Sequence, residues 1–507
     1  MIFTLMLLKF IALSVLSALS LQSWSVESFR PSLTSSSRAL GHHRCQSLQQ
    51  LRAAASDNTW SSSIIRNQPD DAIIESVKSL CESTPARLPD AASGESGLAF
   101  LFVSQRYSDS FEQIVQAAHA TLGQDVTLLS IVGGGVIGGG VESDDPTMPA
   151  VSLLCGILPV TANVEAFMFG PDEAPPPPSS EAWRAIARGV ETPSYVLFAD
   201  PWSKIDLILN GLDSSGRGGG NSGSAVVAGG ISCPTFGEDG STVGLNGKAY
   251  PRGTAVGVGL SGTIGLQAIV AQGCRPIGPI FEVTEADENL IVTLDNRPAT
   301  EVLHEIAEGD CLSDKEKETV KTYGILCGIA AKDQDPLKGD YLVRQIMGFR
   351  MPAVMIGAQV KVGDVLRFHV RDSMAALEDM QNMISRTKTE RMFAGVNAGT
   401  PLAVLQISCV ARGRSLFGSS NVDLENVKKL VGGGPEDVDA AAVGGFFANG
   451  EMGPVGIAGV GLDSKMTHMH GFTTVAAAIC EFSSISASSS PTLRVESGED
   501  NGDSAWG

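Results

Sequence analysis

Three times along this chain a short apolar run ends in a polar turn. A helix-like or irregular segment follows, a second apolar run breaks into glycines, and a third run returns. The opening runs are residues 98–103, 195–199 and 402–407; the glycine segments are 133–140, 229–237 and 444–456; the returning runs are 151–158, 255–258 and 475–479. Helical periodicity between them is clearest over 111–122 and 424–430. Short apolar runs bounded by turn residues read as buried strands, and spacing by three and four reads as helix. The grammar predicts a mixed α/β fold built from a repeated strand–helix–strand–Gly loop–strand unit. An undivided α/β chain also alternates in this way, so duplication and simple alternation both remain open.

Polar groups set at the ends of buried strands by glycine loops are how α/β proteins build pockets. The third copy carries the most chemistry. In ISCVARGRSLFG (407–418) the thiol of Cys409 is followed by Arg412 and Arg414, and VGGFFANGEMGPVG (443–456) brings Asn449, Gly450 and Glu451. MHGFT (469–473) adds His470. Neighbouring cations favour a thiolate, and two guanidiniums can hold one carboxylate. The spacing predicts that Cys409, Arg412, Asn449 and Glu451 converge, with Cys409 the most reactive thiol. The alternatives are an inert buried thiol, a plain salt bridge between Glu451 and Arg412, and a hydrogen-bonded structural role for His470. His468 and His470 without a third ligand are weak evidence for a metal. Gly134, Gly135, Gly230, Ser232 and Gly450 are expected to line pocket loops. Residues 133–138 (GGGVIG) match the spacing G-x-G-x-x-G, but VESDDP follows where a phosphate site needs a helix N-terminus. No dinucleotide, and no other cofactor, is expected. GCRPIGP (273–279) reads as a rigid turn between domains that fixes Arg275, either toward a ligand or in an ion pair.

This ordered set of motifs resembles the FIST family over residues 93–482. The resemblance implies an N-terminal FIST domain at 93–272 and a C-terminal one at 273–482, facing each other across a cleft, with 57–92 a helix and linker before them. It also implies a sensory role without turnover, with a small carboxylate or amino-acid-like ligand. In that setting Arg412 and Arg414 would take the carboxylate, and Glu451 and Asn449 the amine. Some members of the family carry an F-box, so a protein-interaction scaffold is the second reading, although nothing in 57–90 looks like an F-box. A hydrolase or transferase using Cys409 is the third, and it lacks a histidine nearby in sequence to act as base.

With 507 residues and 43% apolar content, the chain can bury two or more cores. A net charge of −20 argues against nucleic acid as a partner. The nine scattered cysteines suggest reduced buried thiols rather than a disulfide framework. Residues 1–28 have the apolar core of a signal peptide, and 29–56 are arginine-bearing, serine-rich and free of acids. Together they resemble the bipartite presequence of complex plastids, which places the mature protein in the plastid stroma, off the membrane; secretion is the alternative. A helix is expected over 70–81. A different block should lie between the second and third copies, with a hairpin at 281–284 and 290–294, a helix at 298–307, a strand pair over 360–370 and a helix at 373–385. Residues 483–507 are expected to be a disordered tail.

Overall fold

The computed structural model describes residues 59–482 except 85–88, 90–94, 187, 189, 191, 217–224, 236–239, 310–311, 332–340, 431–441 and 460–465. The expected presequence and C-terminal tail lie outside the described residues.

Among the described residues the fold is mixed α/β, with four sheets. In three of them a first strand has a parallel neighbour on one side and an antiparallel return strand on the other. The first strands are Gly97–Ser104, Ser194–Ala199 and Thr400–Cys409, and their parallel neighbours are Val126–Gly133, Val226–Ile231 and Ala442–Ala448. The return strands are Ala150–Ile157, Ala255–Gly262 and Thr473–Glu481. Beyond each return strand lies the strand that precedes the group in sequence: Trp60–Arg66, Ala162–Phe169 and Ile264–Gln272. Parallel neighbours need a crossover, and helices Phe111–Leu122, Ile205–Asp213 and Val422–Val427 lie in the three crossovers.

The glycine segments do not stay with their own sheets. The hairpin Val136–Gly138/Val141–Ser143 adds to Ala442–Ala448. Glu451–Pro454, with Thr467–His470 outside it, adds to Val226–Ile231. Val243–Leu245 adds to Val126–Gly133. Each group therefore completes the sheet of another, in a closed ring. The inner faces of all three sheets meet in one core, where Phe102, Phe198 and Phe446 touch at centroid distances of 5.5 to 6.1 Å. The outer faces are covered by helices, such as Ile73–Glu82 and Phe111–Leu122 on the first sheet.

The fourth sheet and the helix Ser373–Ala394 are inserted between Ile264–Gln272 and Thr400–Cys409. Its core gathers Phe281, Leu294, Leu303, Val320 and Phe368. Here the structure departs from expectation. Residues 273–279 are no turn: they open the strand Cys274–Asp287, which accommodates its prolines through a register break between Ile277 and Ile280. Only the second half of 360–370 is a strand, Val365–Arg371, because Gly363 turns at φ 90°.

Candidate functional site

The parallel strands of all three sheets end at one pole of the body, where six backbone hydrogen bonds link the exchanged segments. Gly134 N–H donates to the Phe447 carbonyl (2.9 Å), Cys233 N–H to Val132 (2.9 Å) and Asn449 N–H to Ile231 (3.0 Å). In return Phe447 N–H donates to Gly135, Ile231 N–H to Gly450 and Val132 N–H to Thr242, each at 2.9 Å. Gly134 and Gly135 thus serve as backbone partners here. The chain after them continues as a strand hairpin, Val136–Gly138/Val141–Ser143, and not as a helix.

Of the residues the sequence singled out, Cys409, Glu451 and Arg412 come together, and all three are buried. Glu451 Oε2 accepts from the N–H (3.2 Å) and hydroxyl (2.8 Å) of Thr473. The Cys409 thiol faces the same carboxyl, in a geometry too poor to satisfy Oε1. The expected reactive thiolate is corrected on this point. Burial first, and the Glu451 carboxyl second, push the Cys409 pKa well above its ordinary value, so the thiol stays protonated. Glu451 is itself lifted to about 8 by burial, against the pull of Thr473, Cys409 and Arg412.

Arg412 is not the expected open clamp. Its Nε and Nη2 bind Asp423 side-on, both at 2.7 Å, and Thr474 adds a hydroxyl to the same carboxylate at 2.9 Å. Asp423 was missed because it lies on the following helix, with no local pattern to mark it. The same holds for Glu142, whose buried carboxylate joins Gln406, Ser408, Thr474 and Asp423 in a continuous hydrogen-bonded chain. One signal existed: polar Gln406 and Ser408 alternate within an otherwise apolar strand, which marks a polar stripe on one face.

The remaining candidates separate. Asn449 is exposed. Arg414 is exposed and reaches Asp144 and Asp145, at 4.0 and 3.6 Å. Arg275 lies in an ion pair with Glu316 and with Asp372 (3.2 Å). His470 is buried against the Gly453 carbonyl at 3.1 Å, and burial, with His468 beside it, drops its pKa to about 3. Gly230 is packed against Ile407 and Phe446 in the core, and a Cβ there would stand 2.8 Å from each. Ser232 is also buried, donating to Thr242, which donates to Asp200. Neither lines an open pocket.

A cavity of about 410 Å³ does open at this pole, lined by Ser104, Gln105, Arg106, Gly134, Asp145, Pro146, Pro149 and Thr235. Val410 stands against Gly134, so the floor lies at the seam with the C-terminal part of the chain. Arg106 pairs with Asp70 at 2.9 Å across a half-exposed surface. Asp145 is held ionised by the hydroxyl and N–H of Thr147.

Two family models match consecutive stretches of this chain. The FIST N domain model matches residues 97–297 and the FIST C domain model residues 299–454. An uncharacterized protein of Mycobacterium tuberculosis is 30% identical over 391 residues, covering 76% of this chain and 91% of the relative. An uncharacterized protein of Mycobacterium bovis is 35% identical over 222 residues, covering 43% of this chain and 51% of the relative. The chain belongs to the FIST family, whose domains are generally sensory.

Proposed function

We propose that this protein is a sensory binding protein that takes a small amino-acid-like zwitterion in the pocket at the strand-end pole. The observation that carries the reading is a cavity of about 410 Å³ whose lining includes both a cation, Arg106, and an ionised carboxylate, Asp145. That volume suits a small molecule. A zwitterion needs both charges, while a phosphate would be repelled by Asp145. The pair between Arg106 and Asp70 is half-exposed and therefore weak, so a ligand carboxylate can exchange into it. The Cys409 cluster stands behind this pocket as scaffolding, since Arg412 is occupied by Asp423 and Cys409 holds its proton.

We also read the three-sheet body as three copies of one unit. The common neighbour order and the even spacing of the outer strands support that reading.

The test of the pocket is a thermal-shift screen of the purified protein against the amino acids, followed by calorimetry. At least one amino acid should raise the melting temperature by mass action. Arg106→Ala and Asp145→Asn should each weaken its binding roughly ten- to a hundredfold, the worth of one charge-assisted hydrogen bond. Binding that survives both substitutions, or a panel without a single shift, would sink the reading.

A further inference from the structure

The hairpin Val136–Gly138/Val141–Ser143 leaves the N-terminal sheet and runs directly into the pocket wall. On the way it carries a buried carboxylate. Glu142 is 5% exposed, and its oxygens accept from the backbone N–H of Asn421, the N–H of Leu424 (3.1 Å) and Gln406 Nε2 (3.0 Å). Its own N–H donates to Asn421 Oδ1 at 2.6 Å. Two residues on, Asp144 accepts from Arg414 N–H and from the Ser420 hydroxyl, both at 2.6 Å. Gly413, at φ 55°, lies so close over Asp144 that a Cβ would stand 2.5 Å from its Oδ2. The next two residues, Asp145 and Pro146, are pocket lining. The wall is thus tied to the C-terminal part of the chain through Glu142 and Asp144.

We propose that Glu142 is a positioning residue for this pocket, and that its proton makes the wall, and so ligand binding, responsive to pH. The proposal rests on the pocket reading above and adds its regulation. Among the described residues, few titratable or charged groups stand near Glu142. The helix Val422–Val427 presents Asp423, itself held by Arg412. The strand Thr400–Cys409 presents Gln406. Two residues on from Glu142, Asp144 is turned to Arg414 N–H and Ser420, and Lys428 stands 4.0 Å from the Cβ position of Gly140. Burial first, and the Asp423 carboxylate second, raise Glu142 to about 7, against the pull of the three N–H donors.

In a released, hydrated hairpin the carboxyl titrates in the ordinary glutamate range, and in the held hairpin it titrates near neutrality. Protons therefore favour the held state. The held state's advantage is full below the ordinary range and is lost as pH rises through about 7.

Hydrogen–deuterium exchange of the full chain tests this without any ligand. Rates are compared at about pH 6 and about pH 8 after correction for intrinsic exchange, an interval that spans the last part of the expected loss. Peptides covering 141–149 and 413–424 should exchange several-fold faster at the higher pH. Glu142→Gln should remove that difference, whereas Glu451→Gln, a buried acid elsewhere at the pole, should retain it. Equal corrected rates in the wild-type protein would overturn the proposal, and this comparison stands even if the variant fails to fold. So would a difference that survives Glu142→Gln. Because no ligand is used, a negative amino-acid screen leaves this result readable, and the two failures are distinguishable. Where the screen yields an amino acid, its affinity for the wild-type protein should fall several-fold across the same interval, and an unchanged affinity would refute the coupling.

Discussion

A guanidinium near a thiol in sequence lowers its pKa only when no anion lies nearer in space and the thiol is solvated enough to ionise. Cys409 meets neither condition: the Glu451 carboxyl faces it, and both are buried. Arg412 is held by Asp423, and among the described residues its Nη1 has no hydrogen-bond partner and Oε1 of Glu451 no adequate one. Glu451 itself carries a pH signature. Its pKa in the folded chain, about 8, lies above the ordinary glutamate value, so its contribution to stability is complete in acid and is lost as pH rises through about 8. Glu451→Gln keeps the size and stays neutral. Thermal unfolding followed between about pH 6 and about pH 9 should therefore show the wild-type protein losing stability faster, by at most ~1.4 kcal/mol per pH unit. Parallel curves for the two proteins would show that the buried carboxyl is not the titrating group.

At the scale of the element, the sequence pattern located the first and return strands of the three-sheet body, because these are largely buried on both faces and mostly apolar. Phe111–Leu122 was legible to the residue. Trp60–Arg66 was not, since three serines in WSSSIIR mask an edge strand that borrows its order from Ala150–Ile157. The helix from Ser373 runs to Ala394 rather than to 385, its last turns exposing Met392 and Phe393, where apolar spacing no longer reports a buried face. The convergence of Cys409 with Glu451 was legible because both leave neighbouring strands. Asp423 and Glu142 were not, because tertiary packing alone brings them to their partners. Exchange between sheets was equally invisible: glycine segments signal a turn, not its destination. Two glycines show how closely two of the three parallel pairs approach. A Cβ on Gly229 would stand 1.9 Å from the Leu197 carbonyl oxygen, and one on Gly445 would stand 1.7 Å from that of Gln406. Ser130 occupies the corresponding place in the first sheet, paired with Leu101. Gly229→Ala should cost about 1–3 kcal/mol or more by forcing the strands apart, read as a lowered denaturant midpoint. An unchanged midpoint would mean the pair has room that its geometry denies.

For the whole molecule, the FIST N and FIST C matches meet between residues 297 and 299, inside the inserted fourth sheet. The three-sheet body is continuous across that line. Without the C-terminal part, Val226–Ile231 loses Glu451–Pro454, Ile264–Gln272 loses Thr473–Glu481, and the Val136–Ser143 hairpin has no sheet to join. Unpaired edges of this kind favour aggregation. A fragment of residues 57–272 should show no cooperative thermal transition by circular dichroism, and co-expression with 273–507 should restore one. A fragment that melts cooperatively alone would show that the exchanged segments are ornaments on an independent domain.

The order of synthesis gives Thr473–Glu481 a particular weight. This strand lies inside its sheet, between Ile264–Gln272 and Thr400–Cys409, yet it is the last described strand to leave the ribosome. Until it arrives, strands made long before must wait with open edges, and the sheet cannot close from the amino end forward. Closure of that sheet therefore waits for its last-made described strand, like a keystone set into an arch.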